Sequence, residues 1–216
     1  MNTDNQFRDA VQKELVWEPS ITSAHIGVTA KAGVVTLSGH VDTFAEKLAA
    51  ETAARRIKGV KAVAEELEVK LPFSVKRDDA DIAAAVVNRF VWDMQVPRDA
   101  VKATVEHGRV TLTGGVEWQF QKKAAEDHVR RLTGVVGVSN QLKLKRRVNT
   151  AYIRDDIDDA LGRSWFFEPE TIEVTAEGGK VRLTGTARSP ADRMLAGATA
   201  WAAPGTTYVE NDIMVA

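Results

Sequence analysis

Hydrophobic positions along this chain change period in a fixed order, and the order occurs three times. Period 3.6 comes first, at Phe7, Ala10, Val11 and Leu15, again at Ile82, Ala85, Val86 and Phe90, and again at Ile153, Asp156, Ile157 and Leu161. That spacing lays one apolar stripe along a helix, broken only by Asp156. A proline follows each stretch (Pro19, Pro97, Pro169), as expected beyond a helix end. Strict alternation comes next: Ile26, Val28, Ala30; Val101, Ala103, Val105; Ile172, Val174, Ala176. Period two with apolar residues on one side predicts a half-buried strand.

The pairs Ala32-Gly33, His107-Gly108 and Gly178-Gly179 then separate that strand from a second one, which buries Val35 and Leu37, Val110 and Leu112, or Val181 and Leu183. Glycine as second residue of a two-residue loop predicts a β-hairpin. A further glycine, Gly39, Gly114 or Gly185, is placed where this strand turns into a helix. The second helix is predicted over 44–57, 119–132 and 190–203, with Ala50, Ala54, Ile57, Ala125, Val129, Leu132, Ala196, Ala200 and Ala203 inward. Gly59, Gly134 and Gly205 stop it, and a last strand follows.

Superposed on Gly33–Gly39, Gly108–Gly114 and Gly179–Gly185, the three runs keep offsets of 75 and 71 residues without a gap from first helix to last strand. The predicted fold is α+β: three tandem αββαβ units, each two helices packed on one face of a three-stranded mixed sheet, over residues 1–72, 77–146 and 150–216. A right-handed crossover makes strands two and three parallel. Strand order does not follow from the pattern.

At 216 residues and 44% apolar content the chain can bury three small cores. It holds no cysteine, which removes disulfides, thiolate metal sites and cysteine nucleophiles. No stretch reads as a signal peptide or membrane span, so the expectation is a cytoplasmic chain, or a periplasmic one if this is a mature form. A net charge of −1 conceals an asymmetry: residues 1–75 have 9 basic against 10 acidic side chains, 76–149 have 14 against 9, and 150–216 have 6 against 11. Such polarity bears on partners and association.

The αββαβ pattern, the strand Val-x-Leu-[Ser/Thr]-Gly and the later Gly134-Val135-Val136-Gly137-Val138-Ser139-Asn140 resemble the BON domain, a bacterial module named for osmotically induced periplasmic and nodulation proteins. The resemblance spans nearly the whole chain. It implies a non-catalytic binding module associated with stress or envelope maintenance, in contact with phospholipid or envelope partners. Two departures stand out. Glu65-Glu66 occupy the place of Asn140-Gln141, with Glu65 expected to face solvent, and Thr206 replaces Val60 and Val135.

Catalytic patterns are absent from the sequence. Gly178-Gly179-Lys180 opens a strand and lacks the rest of a phosphate loop, and no Gly-x-Ser-x-Gly elbow occurs. Of four histidines, His25 and His40 face each other if Ala32-Gly33 is a two-residue loop; with only Asp42 near, they read as a solvated cross-strand pair, and neither metal nor cofactor is assigned. Two surfaces remain. Lys122, Lys123, Arg130, Arg131, Lys143, Lys145, Arg146 and Arg147 are interleaved with Trp118 and Phe120, a composition suited to an anionic membrane surface. Met194, Gly197, Ala198 and Trp201 add a second apolar stripe to the third unit's second helix, suited to packing within the chain, self-association or a protein partner. The leading expectation is contact with anionic phospholipid or a protein; a chaperone-like interaction protein is the alternative, and nucleic-acid binding through unit two is weaker still, since no Gly-x-x-Gly loop joins its helices.

Overall fold

A computed structural model describes residues 3–97, 99–145, 152–164 and 171–215. Arg146, Arg147 and Pro169 lie outside the described residues. Contacts group the chain into two compact units: Met1–Trp92 with Ala103–Leu112 and Glu126–Ser139, and Asp93–Lys102 with Thr113–Ala125 and Asn140–Ala216. The first contains all of repeat 1 and the second all of repeat 3.

Repeat 1 runs α1 (Thr3–Trp17), β1 (Ile26–Lys31), β2 (Val34–Val41), α2 (Phe44–Arg56) and β3 (Ala62–Val69). Repeat 2 follows as α3 (Asp79–Val91), β4 (Val101–Glu106), β5 (Arg109–Val116), α4 (Gln119–Val129), β6 (Gly137–Asn140) and β7 (Lys143–Leu144). Repeat 3 is α5 (Ile153–Gly162), β8 (Ile172–Glu177), β9 (Lys180–Ala187), α6 (Pro190–Ala202), β10 (Tyr208–Asn211) and β11 (Met214–Val215). The order αββαβ is therefore present three times, and α4 stops three residues short of the predicted end at Leu132.

The second strand is central in every sheet, with the first antiparallel on one side and the third parallel on the other in repeats 1 and 3. The turns explain the register. Ala32 and Gly33 have φ of 53° and 83°, and His107 and Gly108 have 50° and 74°, so both loop positions are left-handed as a type I′ hairpin requires. Ile26 consequently pairs with Gly39 and Ile172 with Gly185.

Those glycines do not mark the exit into a helix. Each lies inside its strand, in a conformation that only glycine adopts readily: Gly39 has φ +116°, and a Cβ on it would stand 2.1 Å from the His25 carbonyl oxygen. The strand continues to Val41 before Thr43 caps α2 by accepting from the Glu46 amide at 3.1 Å.

One helix–strand clamp recurs at equivalent positions. In repeat 2 Asn140 donates through Nδ2 to the Lys122 carbonyl at 2.9 Å and accepts from the Leu142 amide at 3.2 Å. In repeat 3 Asn211 makes the same pair of bonds, to Arg193 at 2.8 Å and from Ile213 at 3.3 Å. This local turn interrupts the third strand into β6 and β7, or β10 and β11. Repeat 1 has Glu65 there, and it does not face solvent. Its Oε1 accepts from the Leu67 amide at 2.6 Å while Oε2 pairs with Lys47 Nζ at 2.8 Å, and β3 runs unbroken.

The cores of repeats 1 and 3 form as the pattern predicts. Val11, Leu15, Val28, Val35, Leu37, Ala50, Ala54 and Leu67 cluster in the first, and Ile153, Ile157, Val174, Val181, Leu183, Ala196, Ala200 and Ile213 in the third. Thr206 is 5% exposed, and its Oγ1 has no hydrogen-bond partner among the described residues. Val60 and Val135 occupy its place in the other repeats. Thr206→Val is therefore expected to stabilise the protein by about 1 kcal/mol, because a desolvated hydroxyl without a partner is replaced by a methyl of the same size. Urea unfolding measures it; a destabilised variant would mean the hydroxyl is satisfied.

Candidate functional site

The basic surface of repeat 2 is built around the junction of β5, β7 and α4. Gly115 pairs with Lys143 and Val116 with Leu144, and the Lys145 amide donates to the Val116 carbonyl at 2.8 Å. A Cβ on Gly115 would touch the Lys145 chain at 3.4 Å, so the lysine lies along the end of β5. Two residues further on is Trp118, at the N-cap position where repeats 1 and 3 use Thr43 and Ser189. With no hydroxyl there, Gln121 takes over the capping: its Oε1 accepts from the Glu117 amide at 3.0 Å and the Trp118 amide at 3.1 Å. The Trp118 and Phe120 rings lie 6.4 Å apart at 29°, and Phe120 is 55% exposed.

Around this corner Lys123, Lys143 and Lys145 are exposed, and Lys122 is half-buried beside the Asn140 clamp. Arg131 is exposed on the turn after α4. Arg130 is instead committed to Glu126 and, at 3.6 Å, to Asp127, so it adds little free charge. Arg146 and Arg147 belong to the undescribed stretch.

The stripe of repeat 3 is narrower than the pattern suggests. Met194 is 75% exposed, Ala198 is exposed and Trp201 half-buried. Gly197 turns inward instead: it is buried, and a Cβ on it would stand 2.9 Å from Asn211 Nδ2. Glycine at this position gives the Asn211 clamp its room.

Further exposed apolar groups were legible in the sequence but passed over. Trp17 ends α1 and Trp92 follows α3 at the equivalent position; they are 83% and 86% exposed, each after an exposed valine, Val16 or Val91. The offset of 75 between two tryptophans was the available signal. Met94 lies two residues beyond Trp92, its side chain fully in solvent.

The histidines do not converge on an acid–base centre. His25 and His40 stack, with centroids 4.5 Å apart and rings inclined by 17°, as the hairpin register requires. Nδ1 of His128 accepts from Arg89 at 2.7 and 3.0 Å, and His107 donates its amide to Asp79 at 2.8 Å. Asp79 also accepts from the Gly108 amide at 2.8 Å, and these two backbone bonds hold its carboxyl below the usual range. In repeat 3 the Asp212 carboxylate, with Glu210 behind it, raises the Arg182 guanidinium. Ser20 and Arg56 lower the Glu18 carboxyl on the surface. An open groove of about 520 Å³ in repeat 3 is lined by Asp156, Asp159, Arg163 and Thr199 with Ala203 and Pro204, and the Thr199 hydroxyl in it donates to the Leu195 carbonyl at 3.0 Å. Among the described residues no helix is long and apolar enough to cross a membrane.

The chain is 34% identical over 146 residues to osmotically-inducible protein Y of Escherichia coli (strain K12), an alignment covering 66% of this chain and 73% of that protein. The C-terminal domain of CdsD, the structural protein of the type III secretion system of Chlamydia trachomatis, aligns over 96% of both chains at 14% identity, with a TM-score of only 0.27. The sequence pattern defining the BON domain matches residues 3–70, 78–146 and 149–216, one match to each repeat, and the chain belongs to the BON domain family.

Proposed function

We propose that this chain is a non-catalytic binding protein of three modules, residues 1–72, 77–146 and 150–216, that contacts anionic phospholipid in a bacterial stress or envelope setting. The observation that carries the reading is the pair of indoles, Trp17 and Trp92, held almost wholly in water at the same point of two repeats. Nothing in the hydrophobic core uses them, and an indole with an apolar body and one N–H is suited to the boundary between headgroups and acyl chains. Phe120 and Trp118, with Lys123, Lys143 and Lys145 beside them, add aromatic and cationic groups suited to a negatively charged surface. The stress setting rests on the name of the relative, osmotically-inducible protein Y.

Vesicle sedimentation tests it. The full chain is expected to pellet with vesicles containing anionic lipid at low salt and to be partly released at high salt. Trp17→Ala with Trp92→Ala is expected to lower the bound fraction by about tenfold or more, through lost apolar burial. Lys143→Ala with Lys145→Ala should mainly remove the salt dependence. A chain that stays in the supernatant at low salt would end the proposal.

A second reading, protein interaction without lipid, is favoured by Met194, exposed on a helix whose other face is already committed to its own sheet. Under it, Trp201→Glu abolishes association while leaving the monomer folded. A gel shift in the same two salts tests the weaker nucleic-acid alternative.

A further inference from the structure

The open face of the sheet in repeat 1 carries a row of donor side chains that the other two repeats lack. Strand register sets the row. His40 and Glu68 are Cα partners in the parallel β2–β3 ladder, and the antiparallel pairing of Ile26 with Gly39 leads directly to His25 against His40. Val41 and Leu67 are buried toward the helices, so by alternation their neighbours His40 and Glu68 stand on the opposite face. His25 stacks on the His40 ring and therefore shares that face. Adjacent strands lie about 4.8 Å apart, which makes His25, His40 and Glu68 successive neighbours across the sheet.

The other two repeats build the same sheet without these donors. The equivalent residues are Ala100, Gly115 and Lys143 in repeat 2, and Thr171, Thr186 and Met214 in repeat 3, the first of each just before the first strand and the others on the second and third strands. A ligand set of two imidazoles and one carboxylate appears in repeat 1 alone.

Two imidazole nitrogens with a carboxylate suit a borderline divalent ion, zinc foremost, with nickel and copper as competitors. Hard cations such as magnesium and calcium prefer all-oxygen shells. In the conformation described the two rings are stacked face to face, Glu68 Oε2 is 3.4 Å from Lys70 Nζ, and no three His, Asp or Glu donors converge among the described residues. Binding thus requires side-chain rotation. His25 is exposed and His40 half-buried, and the Glu68–Lys70 pair is 69% and 57% exposed, the kind of ion pair that holds its partners weakly.

We propose that His25, His40 and Glu68 form a surface site for a divalent transition-metal ion, with water completing the shell. Three donors without a buried second shell set a dissociation constant on the order of 10 µM for zinc.

Calorimetric titration of the untagged full chain with zinc chloride tests this, together with NMR of the histidine rings. One ion is expected per chain, with ring shifts at His25 and His40. His25→Ala and His40→Ala should each weaken binding by at least about tenfold, while Lys70→Ala, which frees Glu68, should leave it unchanged or tighter. Circular dichroism checks that the variants fold, as the side chains of repeats 2 and 3 at these positions predict. Absence of binding up to about 100 µM zinc, or binding untouched by the two histidine variants, overturns the site. Glu68→Gln with undiminished affinity overturns the carboxylate's part in it.

Discussion

Alanine at Gly39 is expected to cost repeat 1 about 3 kcal/mol or more, the largest loss foreseen for a change of one methyl group in this chain. The added Cβ would sit 2.1 Å from the carbonyl oxygen of His25, and the residue would have to keep φ at +116°. Neither conflict relaxes cheaply. The oxygen is backbone, fixed by a ladder that pairs Ile26 with Gly39 and Lys31 with Val34, so moving it means tearing the hairpin. Gly114 and Gly185 meet the carbonyls of Ala100 and Thr171 at 2.1 and 2.0 Å and should be as intolerant. Gly162 supplies the control: nothing lies within 4 Å of a Cβ there, and at the end of α5 alanine should be neutral or gain about 0.5 kcal/mol. Because the repeats need not unfold together, the measurement is native-state hydrogen exchange at the Val35 and Leu37 amides, which reports repeat 1 by itself. A loss below about 1 kcal/mol would mean that the strand can absorb a side chain there.

These glycines also show where sequence reading succeeds and where it slips. The hairpins were legible because a two-residue loop leaves one register open, and a slip by one residue would turn Val35 and Leu37 to solvent. That His25 faces His40 followed from that arithmetic alone, whereas the stacking of their rings is seen only in the structure. Gly39 was misplaced, since a glycine before a helical run resembles a strand exit, and only the structure shows its positive φ inside an eight-residue strand. The third strand misled in a different way. Alternation around Asn140 and Asn211 looks continuous, but each asparagine spends its side chain on the amide two residues ahead and on a helix carbonyl, and the strand breaks there. Glu65 performs the same task by another route, through Lys47, which no residue-type comparison reveals. Strand order was beyond reach because it depends on where the crossover helix lands. The exposed Trp17 and Trp92 were within reach, since their shared register was visible, but exposure itself is known only once the core has closed without them.

The second large effect is expected at Glu46, a carboxylate only 7% exposed and without a cationic partner in the hydrogen bonds it accepts. Its Oε1 accepts from the Thr22 amide at 2.5 Å and its Oε2 from the Asp42 amide at 2.9 Å, which ties the segment before β1 to the start of α2. Glu46→Ala strands both amides in a part-buried site, and at about 1–2 kcal/mol for each unsatisfied donor the loss should reach about 2–4 kcal/mol. Repeat 2 does without half of this bridge, because Pro97, which has no N–H, stands where Thr22 does. Gln121, at the equivalent position, satisfies two amides with a single neutral oxygen. Glutamine has a single acceptor oxygen and would turn its NH2 toward the other amide, so Glu46→Gln should cost about 1–3 kcal/mol, one unsatisfied donor instead of two. Urea unfolding of the two variants counts the acceptors: equal losses would show that both oxygens must be present to hold the two segments together. The distinction reaches the open face of the sheet, because Thr22 leads straight into the turn Ser23–His25. If the Thr22 tether positions that turn, Glu46→Ala also separates the His25 and His40 rings, seen as the loss of their mutual shielding in NMR.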